Sequence, residues 1–358
     1  MGARHRTLVV LAGSALLSCA SPPPPPPPPK PVVVLPPTDT VKIPLLDLPS
    51  YFKNRGGLYP NGVNQPPLDH DSAARAARNR IRALDVNGDE SPFGKYVLVS
   101  IGMSNTTQEW CSQTSGPPCA AWTFMGRAAA DPTVNKNSLV IVNGAAEGQD
   151  APAWTSPASP NYDRIKTGRL APLGLSENQV EIAWVKLDDA KASRSLPSDS
   201  ADAYVYLSNL GQVLRTLRIR YPNLLIVFLS SRIYGGYASG IGATTDLTAE
   251  PYAYEEGFSI KWAIESQINE MRGLPADPRA GSLNYAKKAA PIIVWGPYLW
   301  SDAATPRSDG FLLNRADFEE DGMHPSQNGE SKVGLAVLEF FKNSSYAKCW
   351  FMANQYCL

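Results

Sequence analysis

The chain has 358 residues, of which 43% are hydrophobic and 18% are charged, and its 33 lysines and arginines balance its 33 aspartates and glutamates. This balance argues against a nucleic-acid-binding protein held by a basic surface. Because the apolar fraction is high and the net charge is low, the chain is not wholly disordered, and its length suffices for one large hydrophobic core or two modest ones.

The N terminus has the pattern of a bacterial export signal. Arg4 and Arg6 precede an apolar run over residues 8–17, which is much shorter than the roughly 20 residues that a membrane-spanning helix needs. The run ends in the sequence LLSC, which resembles the lipobox of bacterial lipoproteins, whose cysteine receives lipid. We therefore predict a signal peptide over residues 1–18 of an exported, extracytoplasmic cell-envelope lipoprotein, held at a membrane by lipid on Cys19. An ordinary secretory signal with a chance cysteine is the alternative.

Residues 19–39 form a proline-rich segment that contains eight consecutive prolines, Pro22 to Pro29. Proline lacks the N–H group and has a fixed φ, so this segment cannot pack as a helix or as a central strand. It is predicted to be an extended polyproline II tether between the lipid and the folded domain. A ligand for a proline-recognising domain is the alternative.

Four cysteines remain when Cys19 carries lipid: Cys111, Cys119, Cys349 and Cys357. An even number of cysteines in an exported chain favours disulfides. Three connectivities are possible, of which the two local loops, Cys111 with Cys119 and Cys349 with Cys357, need the least long-range geometry. We expect no metal site, because the spacing within each pair does not suit zinc and few histidines are present to complete a ligand set.

Residues 40–95 are predicted to form an arm that packs on the main domain. Glycines and prolines break any periodicity there before a predicted helix over residues 72–83. The sequence DVNGDE at residues 85–90 matches the first three side-chain ligands of a calcium loop, but Glu90 stands where such a loop needs glycine. We therefore expect a solvated turn rather than a calcium site.

From residue 96 to residue 342, short apolar runs alternate with amphipathic stretches. Five runs are nearly continuous, as is typical of strands buried on both faces: residues 96–102, 139–143, 180–187, 224–230 and 292–295. Apolar residues at helical spacing predict helices around residues 207–217, 260–271 and 333–341. The alternation predicts a three-layer α/β/α sandwich with a parallel, flavodoxin-like sheet of about five strands. A cysteine-containing tail follows at residues 343–358.

The first predicted strand runs into the sequence Gly102-Met103-Ser104-Asn105. In an open parallel sheet, reactive groups gather beyond the carboxyl ends of the strands. A serine on a tight glycine-containing turn at this edge exposes its hydroxyl and places its own N–H near a developing oxyanion. Ser104 is therefore a candidate nucleophile, with a helix N-cap as the alternative.

A second candidate motif, Asp321-Gly322-Met323-His324, follows the last predicted strand and precedes a helix. This spacing lets one turn present an imidazole to a serine, while the carboxylate fixes the tautomer of the imidazole and stabilises its charged form. The alternative is a surface turn whose histidine caps the following helix. Taken with Ser104, the motif favours a catalytic triad.

With the serine motif early and Asp-x-x-His near the C terminus, the chain resembles the SGNH hydrolases, the GDSL-like esterase superfamily. The sequence HPS at residues 324–326 strengthens this likeness. The Gly-x-Ser-Asn form of the first motif is most similar to sialate O-acetylesterase-like carbohydrate acetylesterases. The resemblance covers about residues 96–342. It implies that Ser104 is the nucleophile, that His324 is the general base and then the acid, and that Asp321 orients the histidine.

The resemblance also implies an oxyanion hole, although part of it is missing. Ser104 would supply one N–H and Gly148, in the loop after the second strand, would supply another, whereas Gly144 would only permit the turn. The asparagine or glutamine of the family's third block is absent. Lys186, at the end of the third strand, is then the polar side chain best placed to reach the oxyanion, and a surface ion pair with Asp188 is its alternative role.

Five further side chains are candidates for substrate binding because they follow predicted strands at the same edge of the sheet: Asn105, Arg232, Tyr234, Tyr298 and Trp300. Aromatic side chains on such a rim would stack on sugar rings, although they can equally pack the loops. Glu109, close to the nucleophile, either shapes the pocket or continues the first helix.

Together these motifs predict a serine esterase that removes an O-acyl group, such as acetyl, from a carbohydrate or glycoconjugate through an acyl-enzyme. No metal or organic cofactor is expected, and no nucleic-acid partner. Within enzymes, the alternative is an esterase acting on a lipid or another acyl substrate. Outside enzymes, the alternative is a glycan-binding surface lipoprotein that keeps the fold with little or no turnover. The sequence does not define an oligomeric state.

Overall fold

The structure is a computed structural model that describes Gly2 and residues 42–112, 117–238, 249–355 and 357. The predicted signal peptide, Cys19 and the proline tract lie outside the described residues. Apart from Gly2, the described residues belong to the second of the chain's two units, Pro36–Leu358. None of the described helices combines the length and the apolar content that a membrane span requires.

The described residues form seven strands and eight α-helices. The strands are β1 (Ser50–Tyr51), β2 (Asn54–Arg55), β3 (Tyr96–Gly102), β4 (Leu139–Val142), β5 (Val180–Lys186), β6 (Ile226–Leu229) and β7 (Ile292–Trp295). The helices are α1 (Leu68–Arg78), α2 (Ser104–Cys111), α3 (Phe124–Ala130), α4 (Pro160–Ile165), α5 (Asp202–Arg220), α6 (Tyr252–Met271), α7 (Gln327–Asn343) and α8 (Lys348–Phe351). Strands β1 and β2 form a short antiparallel pair of their own.

Strands β3 to β7 form one parallel sheet in the order β4-β3-β5-β6-β7. The predicted α/β class, the five strands and the flavodoxin-like order are confirmed. Side chains alternate between two cores: β5 directs Ala183 and Val185 to one face of the sheet and Ile182 and Trp184 to the other. Because both faces are covered, both sets of side chains are apolar, and the strands therefore appear in the sequence as continuous apolar runs.

Helices cover both faces of this sheet. Helices α5 and α6 pack on each other over one core, while α1, α3, α7 and α8 contribute to the other. The helices predicted around residues 207–217, 260–271 and 333–341 are confirmed as α5, α6 and α7. The helix predicted at residues 72–83 is α1, and its predicted limits are wrong at both ends. Helix α1 starts directly after Pro67, and its first turn carries Asp69 and Asp71, whose charges suit the helix dipole.

The residues that resemble a calcium loop form a turn. One carboxylate oxygen of Asp85, Oδ1, accepts hydrogen bonds from the backbone N–H of Asn87 at 2.9 Å and of Asp89 at 3.1 Å. Asp85 Oδ1, which would coordinate a calcium ion in a calcium loop, is therefore already hydrogen-bonded to the backbone of the turn. Within the described ranges, no group of three or more His, Cys, Asp or Glu side chains is arranged to hold a metal ion.

The segment that begins at residue 42 packs beside α6 and β7. Leu45 and Tyr51 are buried in the core on that face of the sheet. The Leu45 N–H donates to the hydroxyl of Tyr298 at 3.0 Å, and the indole N–H of Trp295 donates to the carbonyl of Leu58 at 2.6 Å. This segment therefore completes the hydrophobic core next to the last strand.

The described cysteines form two local disulfides, Cys111–Cys119 and Cys349–Cys357, as the sequence favoured. The first closes the loop that follows α2. The second ties α8 to the end of the chain, where Trp350 and Phe351 are fully buried in the core that α7 covers. The C-terminal tail is thus part of the packed structure rather than an appendage.

Candidate active site

Ser104 lies at the carboxyl edge of the sheet, on the sharp turn that joins β3 to α2. Gly102 is the last residue of β3, and Ser104 is the first residue of α2. A Cβ on Gly102 would lie 2.2 Å from the hydroxyl of Thr106 and 2.4 Å from the carbonyl oxygen of Lys186. Only glycine fits at this point, and the chain can then turn tightly enough to place Ser104 at the start of the helix.

The structure brings Ser104, His324 and Asp321 into one hydrogen-bonded row. His324 Nε2 lies 2.9 Å from Ser104 Oγ, and His324 Nδ1 lies 2.6 Å from Asp321 Oδ2. Both distances are those of hydrogen bonds. Ser104 is buried, whereas 29% of the His324 side chain is exposed, so the row opens to solvent at the histidine. This arrangement can transfer a proton from the serine hydroxyl to the imidazole.

The turn that carries Asp321 and His324 is held by the aspartate itself. Asp321 Oδ1 accepts hydrogen bonds from the backbone N–H of Met323 at 2.8 Å and of His324 at 2.9 Å. Gly322 has a φ of +67°, and a Cβ there would lie 1.9 Å from the carbonyl oxygen of Tyr237. Partial burial opposes ionisation of Asp321, but the hydrogen bonds from His324 and from the turn outweigh it and hold the pKa of this carboxyl below its usual value.

Asn105 connects the nucleophile helix to this turn. Its side-chain Nδ2 donates to the carbonyl of Met323 at 3.1 Å, and Asn105 is only 3% exposed. The placement of Asn105 therefore does not support the prediction that it contacts substrate, because its side-chain amide donates to the Met323 carbonyl inside the protein. Instead, Asn105 fixes the distance between Ser104 and the histidine.

Two predicted oxyanion donors have N–H groups without a partner in the described part of the chain. One is the N–H of Ser104, in the first turn of α2, and the other is the N–H of Gly148, an exposed residue with a φ of +67°. The N–H of Gly144 is not free to donate to an oxyanion, because it donates to the hydroxyl of Ser100 at 3.1 Å. Ser100 in turn donates to Asn143 Oδ1 at 3.1 Å, which braces the start of the loop that leads to Gly148.

Lys186 does not reach toward the substrate side, and its predicted role in the oxyanion hole is wrong. Its ammonium is 1% exposed and donates to both carboxylate oxygens of Glu109, at 2.5 and 2.6 Å. The alternative prediction, a surface pair with Asp188, is wrong as well. Burial lowers the pKa of Lys186, and the attraction of the Glu109 carboxylate opposes this change.

Arg232 is also buried beneath the nucleophile turn rather than open to a ligand. Its guanidinium forms an ion pair with Asp188, which is fully buried, and its Nη1 lies 3.7 Å from the sulfur of Met103. The prediction of Arg232 as a substrate contact is therefore not supported. Burial lowers the pKa of Arg232, and the acids around it, including Glu256 and Glu109, oppose this change.

Of the three predicted rim aromatics, Tyr298 and Trp300 belong to the core. Tyr298 receives the hydrogen bond from Leu45, and the indole N–H of Trp300 donates to Glu250 Oε1 at 2.7 Å. Leu45 thus contacts Tyr298, whereas the ring of Trp300 packs against Tyr254 with centroids 4.8 Å apart. Tyr234 is only half buried and packs edge-on against Trp300, so it remains the one of the three with surface to offer a substrate.

Thr106, which the sequence analysis did not single out, and Glu109, whose partner it did not identify, both help to build the site from α2. The hydroxyl of Thr106 donates to the carbonyl of Lys186 at 2.6 Å, and Glu109 receives the ammonium of the same lysine. Thr106 and Glu109 are three residues apart and therefore lie on one face of the helix. That spacing is a signal in the sequence, but it does not reveal which partner on another strand the face meets.

Neither the scan of family models nor the search of curated proteins finds a match to the chain. Among solved structures, the chain is similar to a protein from Parabacteroides merdae described as a GDSL-like lipase, at 13% identity over 72% of this chain and 97% of that chain, with a TM-score of 0.36. An extracellular lipase from Streptomyces rimosus is 16% identical over 68% of this chain and 98% of that chain, with a TM-score of 0.32.

A carbohydrate esterase family 2 enzyme with a carbohydrate-binding domain, from Corynascus thermopiles, is 11% identical over 70% of this chain and 67% of that chain, with a TM-score of 0.35. The GDSL-like family is the one that the motifs at Ser104 and His324 resemble. At these identities the similarity concerns the fold and does not extend to activity or substrate.

Proposed function

We propose that this chain is a serine esterase in which Ser104, His324 and Asp321 form the catalytic triad. The observation that carries the proposal is the continuous row from Ser104 Oγ to His324 Nε2 and from His324 Nδ1 to Asp321 Oδ2, at 2.9 and 2.6 Å. A helix cap or a structural ion pair would need only one of these contacts. A serine, an imidazole and a carboxylate in this order form the arrangement that activates a hydroxyl as a nucleophile.

In the proposed mechanism, Ser104 Oγ attacks the ester carbonyl carbon while His324 Nε2 takes the hydroxyl proton. The negative charge on the carbonyl oxygen is stabilised by the N–H groups of Ser104 and Gly148 and by the N-terminal end of α2. His324 then gives the proton to the departing alcohol oxygen, which leaves an acyl group on Ser104. Water, deprotonated by His324, attacks this acyl group, and the carboxylic acid and the free serine are released.

Asp321 contributes by orientation and charge. Its Oδ2 accepts a hydrogen bond from the Nδ1–H of His324, and this tautomer leaves Nε2 unprotonated and able to take the proton of Ser104. Because the surrounding hydrogen bonds keep its pKa low, Asp321 is a carboxylate throughout the pH range in which an imidazole titrates. The imidazolium that forms during each proton transfer is therefore paired with a negative charge.

The proposed substrate is an O-acylated carbohydrate or glycoconjugate, with acetyl as the acyl group. The support for it is the similarity of the Gly102-Met103-Ser104-Asn105 motif to that of carbohydrate acetylesterases, together with the partly exposed ring of Tyr234.

We further propose that the chain is exported and anchored through lipid on Cys19. In bacterial cells supplied with labelled palmitate, wild-type protein should incorporate label and Cys19→Ala should not, whereas equal labelling of both would exclude lipid at Cys19.

The triad is tested by treating the full chain with a fluorophosphonate probe and mapping the adduct by mass spectrometry. Labelling of Ser104 in wild-type protein, its loss in His324→Ala, and normal labelling in the control variant Ser208→Ala, which changes a serine on α5, would support the proposal. If folded wild-type protein takes up no probe, Ser104 is not an activated nucleophile, and the glycan-binding interpretation replaces the esterase.

The acyl and alcohol preferences are tested with p-nitrophenyl esters of increasing chain length and with acetylated monosaccharides. Faster hydrolysis of p-nitrophenyl acetate than of the dodecanoate, together with release of acetate from an acetylated sugar, is the expected result. Faster hydrolysis of the dodecanoate would overturn the carbohydrate substrate in favour of a lipid ester, while leaving the triad in place.

A further inference from the structure

A pocket of about 420 Å³ lies at the edge of the sheet opposite Ser104. Its walls come from α1, from the end of α5, and from the segments that enter β6 and β7, so it faces the amino ends of these parallel strands. The proposed triad lies beyond the carboxyl ends of the strands. The pocket is therefore separate from the proposed catalytic site.

Three basic side chains line this pocket: Arg80, Arg218 and Lys288. The described residues that line it include no aspartate or glutamate. Arg80 follows α1, Arg218 lies in the last turn of α5, and Lys288 lies in the turn before β7. The pocket thus gathers positive charge from three distant parts of the chain while the chain as a whole is neutral.

These charges are not neutralised by ion pairs. The side chains of Arg80 and Lys288 form no hydrogen bond or ion pair within the described part of the chain. Arg218 hydrogen-bonds only to backbone carbonyls, those of Tyr221 and Pro222. Burial lowers the pKa of Arg218, and the nearby positive charge of Arg80 lowers it further. The two guanidinium groups are therefore close enough to repel each other.

Glu181 is an acid close enough to interact with Arg80, but it does not balance the cluster. Its two carboxylate oxygens both accept from the backbone N–H of Arg82, at 3.1 Å each. Burial raises the pKa of Glu181 to about 8, so this carboxyl is largely protonated at neutral pH. The pocket keeps its positive charge under those conditions.

The remainder of the pocket lining is apolar. Small side chains of α1, Ala73, Ala76 and Ala77, form one wall, the alanine wall. Tyr285 is half buried beside them, and its hydroxyl has no hydrogen-bond partner among the described residues. A ligand that suits these walls has a flat or compact apolar body and one strongly anionic group.

We propose that this pocket binds a small organic phosphate, with its phosphate group between Arg80, Arg218 and Lys288 and its organic body against the alanine wall. Guanidinium groups donate paired hydrogen bonds that match phosphate oxygens. A phosphate monoester carries nearly two negative charges at neutral pH, so it offsets three uncompensated cations better than a carboxylate does. Bound phosphate would also remove the repulsion between the two guanidiniums.

The experiment is isothermal titration calorimetry of the full-length Ser104→Ala chain at pH 7.5 with phenyl phosphate, inorganic phosphate and benzyl alcohol. This variant keeps the pocket and removes the proposed nucleophile, so the result does not depend on whether the chain is an esterase. We expect saturable one-to-one binding of phenyl phosphate, weaker binding of inorganic phosphate and none of benzyl alcohol. Binding of phenyl phosphate should weaken as salt is raised.

Neutral substitutions locate the site. Arg80→Gln and Lys288→Gln should each weaken phenyl phosphate binding about tenfold, the effect of losing one charged hydrogen bond. Lys287→Gln, which removes the adjacent exposed lysine outside the pocket lining, should leave the affinity unchanged. No saturable binding, equal loss in Lys287→Gln and Lys288→Gln, or equal affinity for benzyl alcohol would each overturn the proposal.

Discussion

Lys186 on β5 and Glu109 on α2 form a buried ion pair in which the ammonium donates to both carboxylate oxygens, at 2.5 and 2.6 Å. Each side chain is 1% exposed. The carbonyl of the same lysine also receives the hydroxyl of Thr106, at 2.6 Å. Two contacts therefore hold α2, the helix that begins with Ser104, against β5. The position of the nucleophile thus depends on an ion pair that is buried away from the surface.

Removing one member of this pair should strongly destabilise the fold. Lys186→Met leaves the carboxyl of Glu109 buried without its partner, and the free energy of unfolding should fall by about 3–5 kcal/mol. The double variant Lys186→Met/Glu109→Leu should recover most of that loss because neither charge remains. Urea denaturation measures both variants. Lys53→Met, which breaks an exposed pair with Asp199, is the control and should change stability by less than about 1 kcal/mol. A double variant no more stable than Lys186→Met would contradict this account.

Asn105 should affect catalysis more than stability. Asn105→Ala removes the hydrogen bond from Nδ2 to the Met323 carbonyl, so the turn that carries His324 is no longer tied to the nucleophile helix. We expect a fall in kcat of about tenfold or more with little change in KM, since misplacement of reacting groups lowers the rate of chemistry. Steady-state kinetics on p-nitrophenyl acetate measure both parameters.

The matched control is Asn223→Ala, which removes an amide-to-carbonyl hydrogen bond of 2.7 Å to Asn178, away from the site. It should leave kcat unchanged. An equal fall in kcat in both variants would show that Asn105 acts through general stability rather than through position.

The strands and their order were predictable from the sequence because a parallel sheet buried on both faces requires runs such as Tyr96–Gly102 and Val180–Lys186. The limits of α1 were missed although its start has local signals: Pro67 directly precedes the helix, and Asp69 and Asp71 lie in its first turn. The prediction followed the alanine-rich stretch instead, and that stretch is compatible with several starting points.

The site was predictable where its parts are local and not where they are paired over long distances. Ser104 and the Asp-x-x-His turn stand out because each motif is a short, chemically coherent unit. The partner of Lys186 was not predictable, since Glu109 lies 77 residues away and the pairing depends on the register of α2 against β5. Tyr298 and Trp300 follow β7 at the edge where ligands bind, but only the structure shows that Leu45 contacts Tyr298 and that Trp300 packs on Tyr254.

The stability of the fold should decline between pH 5 and pH 8 because of buried carboxyls such as Glu181. Burial raises the pKa of Glu181 from its ordinary 4.5 to about 8. Between these values the unfolded chain releases a proton that the folded chain keeps, so unfolding becomes easier as pH rises. Glu181→Gln keeps an oxygen to accept the Arg82 N–H and should reduce this decline by about 3 kcal/mol. Urea denaturation at several pH values measures it, with Glu339→Gln, an exposed glutamate that does not act on Glu181, as control. A decline of equal size in wild type and Glu181→Gln would contradict the prediction.

Asp321→Asn should separate the structural role of this residue from its role in the proposed triad. The Oδ1 atom of asparagine can still accept the backbone N–H groups of Met323 and His324, so the turn should keep its shape. The new NH₂ group faces His324 Nδ1, where the carboxylate oxygen accepted a hydrogen bond, and it favours the tautomer with hydrogen on Nε2. That tautomer cannot take the proton of Ser104, and we expect kcat to fall by about 10²–10⁴-fold while the unfolding free energy changes little.

Asp321→Ala provides the comparison, because it also removes the acceptor of the two backbone N–H groups. It should lose both activity and stability, the latter by about 1–3 kcal/mol. The rate of fluorophosphonate labelling at Ser104 reports the nucleophile directly, and circular dichroism in urea reports the fold. If Asp321→Asn labels as fast as wild type, the carboxylate serves the turn alone, and the proposed catalytic row reduces to Ser104 and His324.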